Sequence, residues 1–278
     1  TLTENSLSVT DFSPDAHPDL LSYAALTIAE TTEKTEPFDI AIETEIKDRE
    51  ASPLKYPHRL MELPFDPVRR RNAVLVREGS ANLMIVRGAP ELIIALSTLT
   101  GSQKAGIEQW ISEKGKNGER TIALAKRIFP GDKEKISQED EQDLEFLGVM
   151  AFTDPIKPST FHAVKKAKDL GVAIKIITGD SPEVAGAVGV KIGLIDDPGW
   201  VLTGSAMQEL PDKERAEAIT RHAVMARVTP EQKFEIIETL QRSHTVGLLG
   251  EGINDAPALK EADVGVAIGT GTDVAIAS

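Results

Sequence analysis

Hydrophobic residues follow different patterns in the two halves of the 278-residue chain. In the second half, apolar runs at residues 147–152, 172–177, 245–249 and 264–268 alternate with helical patterns at 159–170, 181–192 and from Thr229. Ser181-Pro182 supplies an N-cap and a first-turn proline, and Thr229 begins a capping box that precedes apolar Phe234, Ile237 and Leu240. Short strands that alternate with helices predict a parallel sheet covered on both faces.

The first half has a different periodicity. Residues 72–76 and 82–87 alternate in polarity around Glu78-Gly79-Ser80, which predicts a β-hairpin. Helical patterns occupy residues 18–30 and 108–114, a further helix is expected from Glu91, and residues 121–128 have the composition of a strand. Antiparallel strands combined with helices predict a separate α+β domain in this half.

Composition narrows the classes of function. The formal charge of −13 and the isoelectric point near 4.9 argue against a nucleic-acid partner. The chain has no cysteine, which excludes disulfides and thiolate metal sites and fits an intracellular location, although many secreted proteins also lack cysteine. No apolar run approaches the roughly 18 residues that cross a bilayer. We therefore expect this chain itself not to be embedded in a membrane.

Residues suited to phosphate chemistry follow the predicted strands of the second half. Thr178-Gly179-Asp180 offers a hydroxyl, backbone N–H groups and a carboxylate just before a helix N-terminus. Lys233 lies in the first turn of its helix, where the macrodipole disfavours a cation, so it either contacts an oxyanion or is neutralised by Glu231 and Glu235. Taken alone, Thr178-Gly179-Asp180 is a frequent tripeptide and fits an ordinary turn better than a binding loop.

The stretch Gly250-Glu-Gly-Ile-Asn-Asp-Ala-Pro257 adds two carboxylates, Glu251 and Asp255. Carboxylate oxygens suit a hard divalent cation such as Mg²⁺. The alternative is that Asn254 and Asp255 only cap the following short helix. Because ligands of parallel sheets bind at the carboxyl ends of strands, we expect Thr178, Lys233 and Asp255 to gather around one site.

These motifs, together with Arg227-Val-Thr-Pro-Glu-Gln-Lys233, resemble the phosphorylation domain of P-type cation ATPases, in the haloacid-dehalogenase superfamily. The resemblance implies a Rossmann-like parallel sheet. It also implies that Thr178 and Gly179 hold the transferred phosphoryl group, and that Asp180 organises the loop and the nucleotide. Arg227 would reach the nucleotide.

The same resemblance implies roles for the next motif. Lys233 would neutralise charge on the phosphoryl oxygens, Asn254 would orient the phosphoryl group, and Asp255 would bind Mg²⁺. Residue 251 departs from the family, which usually has aspartate where this chain has Glu251. Because Mg²⁺ demands near-ideal octahedral geometry, we expect the longer side chain to weaken or alter metal binding.

The first half carries further matching motifs, Leu63-Pro-Phe-Asp-Pro-Val-Arg-Arg-Arg71 and Arg87-Gly-Ala-Pro-Glu91. They resemble the nucleotide-binding domain of the same family. By that resemblance Phe65 stacks on adenine, although core packing beside two prolines is the alternative reading. Arg70 lines the pocket, and Arg87-Gly88 forms its floor, with arginine in place of the usual lysine.

Two more residues complete the implied ATP pocket. Asp39, in Glu36-Pro-Phe-Asp39, would accept a hydrogen bond from the adenine amino group, and Arg120 would contact phosphates. An aromatic ring with nearby guanidiniums is physically suited to a purine and its phosphates.

The resemblance extends over nearly the whole chain and predicts its organisation. Residues 1–12 would begin the phosphorylation domain, residues 13–145 would form the inserted nucleotide-binding domain, and residues 146–278 would complete the phosphorylation domain. Family members phosphorylate an aspartate in an Asp-Lys-Thr-Gly-Thr-Leu-Thr sequence, and this chain begins at Thr1-Leu2-Thr3. We expect the nucleophile to lie just before Thr1, and this chain alone to bind ATP weakly and not to form the acyl phosphate.

The motifs most resemble those of plasma-membrane proton ATPases. The whole protein would then couple ATP hydrolysis to proton transport, with an actuator domain and transmembrane helices as partners and this chain on the cytosolic face of the membrane. Two alternatives remain open on the sequence: a soluble haloacid-dehalogenase-like phosphatase whose first half is a substrate cap, and a nucleotide-binding module without catalysis.

Overall fold

The computed structural model describes residues 2–28, 36–49, 59–66, 68–131, 133–250 and 255–268. The chain divides into two compact units. Residues 6–114 and 119–154 form one, here called the antiparallel unit, and residues 1–5, 115–118 and 155–278 form the other, the parallel unit. Each unit is described by itself.

A six-stranded sheet with the order β1-β6-β5-β4-β3-β2 forms the centre of the antiparallel unit, and every neighbouring pair in it is antiparallel. The strands are β1 (Ser8–Phe12), β2 (Arg59–Asp66), β3 (Arg71–Glu78), β4 (Ala81–Gly88), β5 (Arg120–Pro130) and β6 (Glu145–Thr153). The predicted hairpin is confirmed: β3 and β4 pair along their full length, and Gly79 in the turn has a positive φ of 61°.

Helices cover both faces of this sheet, so its central strands are apolar on both sides. The helices are α1 (Leu20–Leu26), α2 (Pro37–Asp48), α3 (Pro90–Leu96) and α4 (Gly101–Lys116), with a 3₁₀ turn at Gln138–Asp140. Leu20 and Ile42 from α1 and α2 pack with Ile85 and Phe152 on one face. On the other face Ile93 of α3 joins a second cluster formed by alternate residues of the same strands.

The parallel unit contains two groups of short parallel strands. One has the order β7-β9-β8 and the other pairs β10 with β11. The strands are β7 (Ile176–Ile177), β8 (Leu202–Thr203), β9 (Val224–Ala226), β10 (Gly247–Gly250) and β11 (Val264–Ala267). The helices are α5 (Pro158–Asp169), α6 (Pro182–Lys191), α7 (Gly204–Glu209), α8 (Asp212–Arg221), α9 (Pro230–Gln241) and α10 (Ala256–Glu261).

Local sequence signals account for the helix starts in this unit. Ser181 caps α6 by accepting a hydrogen bond from the Val184 amide, and Thr229 and Gln232 form the predicted capping box of α9. In α9 the apolar face is turned slightly from the expected one: Ile236, Ile237 and Leu240 are buried, whereas Phe234 is only half-buried.

Several elements differ from the sequence expectation. The apolar run at 147–152 lies in β6, which pairs with β5 and β1 in the antiparallel sheet and not with the parallel strands. Residues 8–12 and 146–154, expected in the phosphorylation domain, therefore belong to the antiparallel unit. The physical reason is that an apolar run buried on both faces has the same composition in either kind of sheet.

Two further elements are shorter than predicted. The run at 172–177 is a strand only at β7, because Val172 is exposed and Lys175 turns its ammonium group towards the end of α8. The helix expected over 18–30 is α1, which ends at Leu26, and residues 29–30 lie outside the described residues. Within the described parts of the chain, no helix combines the length and the apolar character needed to cross a membrane.

Candidate functional site

Pairing of the antiparallel strands brings predicted ligand residues from four strands to one end of the sheet. Asp66 pairs with Arg71, Arg71 with Gly88, and Gly88 with Ala123, three residues from Arg120 at the start of β5. Phe65 and Arg87 are the direct neighbours of Asp66 and Gly88 along the chain. Guanidiniums at one sheet end make this end suited to an anion, in a chain whose net charge is −13.

Arg87 is held in the interior by a network of three other residues. Its Nη1 donates to Asp39 Oδ1 at 2.6 Å, and the two side chains are 10% and 5% exposed. Its Nε donates to Asn72 Oδ1 at 3.4 Å, and the side-chain Nδ2 of Asn72 donates to the Thr27 carbonyl at 3.0 Å. A buried guanidinium that is paired and hydrogen-bonded in this way keeps its charge and a fixed orientation.

Arg120 lies close to the same network. Its Nη1 donates to Asp154 Oδ2 at 3.1 Å. The pKa of Glu36 is raised above its ordinary value by removal from water and by the carboxylate of Asp39, which together outweigh the opposite effect of Arg87 and Arg120. The charges of Asp39, Arg87 and Arg120 therefore all influence Glu36 at the start of α2.

Phe65 is 62% exposed, so it does not take the core position that was the alternative reading. An exposed aromatic ring at a sheet end is available for stacking. Nearby, Arg70 has a positive φ of 49°, which is uncommon for a residue other than glycine, and its Nη1 donates to Glu91 Oε1 at 2.7 Å. Strained backbone of this kind concentrates at binding sites.

Gly88 has a packing role that the sequence did not reveal. A Cβ atom at this position would meet Arg71 Cβ at 2.4 Å and the Arg70 carbonyl oxygen at 2.6 Å. The Ala89 amide donates to that same Arg70 carbonyl at 3.0 Å. Glycine at 88 thus lets the segment after β4 lie directly against Arg70 and Arg71.

In the parallel unit, the loop Thr178–Asp180 is tied to Arg227. Thr178 Oγ1 donates to Asp180 Oδ2 at 3.1 Å and accepts from the Asp180 amide at 3.1 Å. The Arg227 amide donates to the Asp180 carbonyl at 3.0 Å, and Arg227 Nη1 donates to the Gly179 carbonyl at 3.3 Å. Arg227 also has a positive φ, 51°. These contacts bring four predicted site residues together.

Lys233 and Asp255 form a second contact between predicted site residues of this unit. Lys233 Nζ donates to Asp255 Oδ1 at 2.6 Å, and the side chains are 19% and 16% exposed. Asp255 makes no side-chain capping bond to α10, and Glu235, one of the two glutamates expected to neutralise Lys233, pairs with Arg215. The lysine at the start of α9 is therefore paired with the carboxylate that precedes α10.

Glu251 and Asn254, the other predicted residues of this site, lie outside the described residues. Among the residues that the structure does describe, no group of three or more histidine, aspartate or glutamate side chains could hold a metal ion. The single carboxylate of Asp255, already paired with a lysine, does not by itself make a Mg²⁺ site.

Three polar residues at these sites received no binding or positioning role from the sequence. Asn72 and Asp154 orient Arg87 and Arg120, and Glu141, whose side chain is fully buried, accepts from Arg69 and Arg71 at 2.9 and 2.6 Å. A buried acidic or amide residue on an otherwise apolar strand is the available signal for Asn72. Glu141 lies in a charged loop where nothing in the sequence distinguishes it from its neighbours.

Comparison with known proteins finds one matching family model. The model for "P-type ATPase, cytoplasmic domain N" matches residues 29–159. These residues include β2 to β6 and with them the candidate site at the sheet end. The domain of this family lies in the cytoplasm, as its description says.

Individual relatives extend over more of the chain. A magnesium-transporting P-type ATPase of Salmonella typhimurium is 37% identical over 229 residues, 77% of this chain and 25% of the relative. A calcium-transporting ATPase of Listeria monocytogenes is 34% identical, with 77% and 26% covered. A Mycoplasma genitalium protein named "Probable cation-transporting P-type ATPase" is 32% identical over 99% of this chain and 32% of the relative. The chain thus spans about a quarter to a third of the length of these relatives.

Proposed function

We propose that this chain, which contains the N domain of a P-type cation-transporting ATPase, is the ATP-binding and phosphorylation region of such a pump. The observation that carries the proposal is the arrangement at the end of the antiparallel sheet. There an exposed aromatic ring, Phe65, lies near the end of β2, at the same end of the sheet as the oriented guanidiniums of Arg87 on β4 and Arg120 on β5. A planar apolar ring and fixed positive charges match the two parts of a nucleotide.

In this proposal Phe65 stacks on the adenine ring, and Asp39 accepts a hydrogen bond from the adenine amino group. Asp39 Oδ1 already receives the Arg87 bond, and a carboxylate can accept more than one donor. Arg87 and Gly88 form the floor of the pocket, Arg70 lines it, and Arg120 contacts phosphate oxygens. The buried Arg87 supplies a positive charge that requires no reorientation when the nucleotide binds.

We further propose that the parallel unit carries the phosphoryl-transfer site. The Thr178 hydroxyl and the Gly179 backbone would hold the phosphoryl group, Asp180 would organise the loop, and Arg227 would reach the nucleotide. This proposal is supported by the hydrogen bonds that already join these residues. Catalysis would come from positioned charges, because phosphoryl transfer needs electrostatic stabilisation more than covalent chemistry from the enzyme.

Lys233 would neutralise negative charge on the phosphoryl oxygens. To do so, its ammonium group would either leave Asp255 or contact Asp255 and the phosphoryl group together. Asn254 would orient the phosphoryl group, and Mg²⁺, when bound by Asp255 with Glu251, would offset the repulsion between anions. The Rossmann-like haloacid-dehalogenase fold is part of the same proposal, supported by the parallel strands that alternate with helices.

In the whole pump, an actuator domain and transmembrane helices would convert this chemistry into transport, with this chain at the cytosolic face of the membrane. The motifs of the chain resemble proton ATPases, whereas two of the relatives above are named for magnesium and calcium. We therefore propose a cation pump, with the proton as the expectation from the motifs. Transport assays of the intact protein with H⁺, Mg²⁺ and Ca²⁺ would identify the ion.

The nucleotide pocket is tested by titrating the 278-residue chain with ATP and with GTP. We expect ATP to bind more tightly, and Phe65→Ala to lower ATP binding by about 1 to 3 kcal/mol, the contribution typical of a base stacked on an aromatic side chain. Val68→Ala is the matched control, because Val68 is 91% exposed in the same segment and has no assigned role. Equal affinities for both nucleotides, or an unchanged affinity in Phe65→Ala, would refute the proposed pocket.

A further inference from the structure

Arg120 is positioned by a carboxylate that enters the site from the neighbouring strand. Arg120 begins β5, and its register partner on β6 is Phe152, two residues before Asp154. Arg120 Nη1 donates to Asp154 Oδ2 at 3.1 Å. The Asp154 side chain is 5% exposed, whereas that of Arg120 is 26% exposed. A fixed, buried anion thus holds the guanidinium of a partly exposed cation.

The chemistry of the Arg120–Asp154 pair indicates that Arg120 keeps its contact with Asp154 when it binds an anion. A guanidinium has five N–H donors, so the contact made by Nη1 is compatible with phosphate contacts made by others. Asp154 Oδ1 has no hydrogen-bond partner among the residues that the structure describes. If a phosphate drew Arg120 away, it would leave a buried carboxylate without its cation, which is strongly unfavourable. The stable arrangement is one in which Arg120 binds Asp154 and an anion together.

We infer that Asp154 is a positioning residue of the nucleotide site, which orients Arg120 so that its guanidinium faces the nucleotide phosphates. This inference rests on the proposed ATP-binding function. Arg120 has a long side chain with many rotamers, and fixing one of them in advance lowers the entropic cost of binding. Asp154 is also the last residue of the antiparallel unit before the chain continues into the parallel unit.

The effect of Asp154→Asn on affinity separates positioning from simple charge repulsion. If Asp154 were only a negative charge near the phosphates, its removal would strengthen ATP binding. If it orients Arg120, the neutral amide holds the guanidinium less firmly, and ATP binding weakens by about tenfold, the loss expected for one weakened charge-assisted hydrogen bond. Adenosine lacks phosphates, so its affinity should stay unchanged and also report that the variant is folded.

The experiment is calorimetric titration of the 278-residue chain and its variants with ATP and with adenosine. Arg120→Lys should weaken ATP binding, and Asp154→Asn in the Arg120→Lys background should weaken it little further, because the two residues act through one contact. The matched control is Glu134→Gln. It removes the carboxylate of the exposed pair Arg77–Glu134 and should leave ATP affinity unchanged.

The outcomes distinguish the inference from the proposed function. Failure of the unmodified chain to bind either ligand would contradict the proposed function. Unchanged or tighter ATP binding by Asp154→Asn, with the unmodified chain binding normally, would overturn the inference alone. Equal losses for ATP and adenosine would also overturn it, because they would indicate a general structural defect.

Discussion

Two ion pairs of equal length join predicted site residues, one in each unit, yet their surroundings differ. Arg87–Asp39 and Lys233–Asp255 both measure 2.6 Å. The first pair joins a central strand of the sheet to α2, with side chains 10% and 5% exposed, whereas the second, 19% and 16% exposed, joins the starts of two helices. A short distance therefore does not define a role: the first pair is built into the core, and the second is placed where a ligand can compete for it.

Among substitutions that affect the stability of one unit more than the other, we expect the largest loss from a change at Glu141. Its side chain is fully buried between Arg69 and Arg71, so Glu141→Gln leaves two guanidiniums, 13% and 15% exposed, without their anion. We expect a loss of about 3 to 5 kcal/mol in the free energy of unfolding of the antiparallel unit. Urea denaturation of a Trp200→Phe background measures it, because the remaining tryptophan, Trp110, lies in that unit.

The matched control for Glu141 is Glu235, which pairs with Arg215 in the parallel unit. The side chains of that pair are 32% and 21% exposed. Glu235→Gln should cost less than about 1 kcal/mol, as partly exposed pairs do. It is followed through Trp200 in a Trp110→Phe background. Equal losses in the two variants would show that burial does not separate the units as described.

The comparison of the two 2.6 Å pairs can be tested directly by neutralising each aspartate. Asp39→Asn should destabilise the antiparallel unit by about 3 kcal/mol, because Arg87 stays buried without its countercharge. Asp255→Asn should destabilise the parallel unit by only about 1 kcal/mol, because Lys233 can reach water. The same two tryptophan backgrounds report the two losses. A loss in Asp255→Asn as large as that in Asp39→Asn would make both pairs structural.

Local signals in the sequence predicted much of this fold. The hairpin of β3 and β4 and the starts of α6 and α9 depend on turn and cap residues within a few positions of each other, and all were found where expected. The sheet to which β6 belongs was not predictable, because an apolar run carries no information about its partner strand. Burial on both faces hides the alternation that would have indicated an antiparallel neighbour.

The candidate sites show the same division between local and long-range information. The motifs identified Asp39, Arg87, Lys233 and Asp255 as site residues. They did not indicate that Arg87 pairs with Asp39, 48 positions away, or Lys233 with Asp255, 22 positions away. Such pairing depends on how the elements pack. Asp154 shows this most clearly, since nothing at residues 153–155 indicates that its carboxylate reaches Arg120, 34 positions away.

The two sites also share a feature, a residue other than glycine with a positive φ angle. This similarity gives a test with a smaller expected effect on stability. Arg70 in one unit and Arg227 in the other have φ of 49° and 51°. At each position the glycine variant should be more stable than the alanine variant by about 1 kcal/mol, because both lose the guanidinium but only alanine retains the steric strain of the left-handed conformation.

Thermal or urea unfolding of the four variants measures these differences. The control is Glu217, an exposed residue in the middle of α8, where alanine should be more stable than glycine by about 1 kcal/mol. If alanine were also preferred at 70 and 227, neither site would hold a strained backbone.

The smallest expected effect concerns the parallel unit alone and its dependence on pH. Lys175 Nζ donates to the carbonyls of Ile219, Thr220 and His222 at the end of α8, at 2.9, 2.8 and 2.6 Å. Burial lowers the pKa of Lys175 below its ordinary value of 10.5. The unfolded chain therefore binds this proton more tightly than the folded chain, so the contribution of Lys175 to stability should rise as the pH rises through the lowered pKa towards 10.5.

Lys175→Met removes this titration, so the stability of the unmodified chain relative to the variant should increase with pH in that window and stay constant below it. Trp200, which stacks on His222 with ring centroids 4.8 Å apart, reports the change at the helix end that Lys175 binds. Lys213→Met, at the other end of α8, should show no such dependence. The opposite result would be a fall in the stability of the unmodified chain relative to Lys175→Met as the pH rises. It would mean that the three carbonyls stabilise the charged ammonium by more than burial destabilises it.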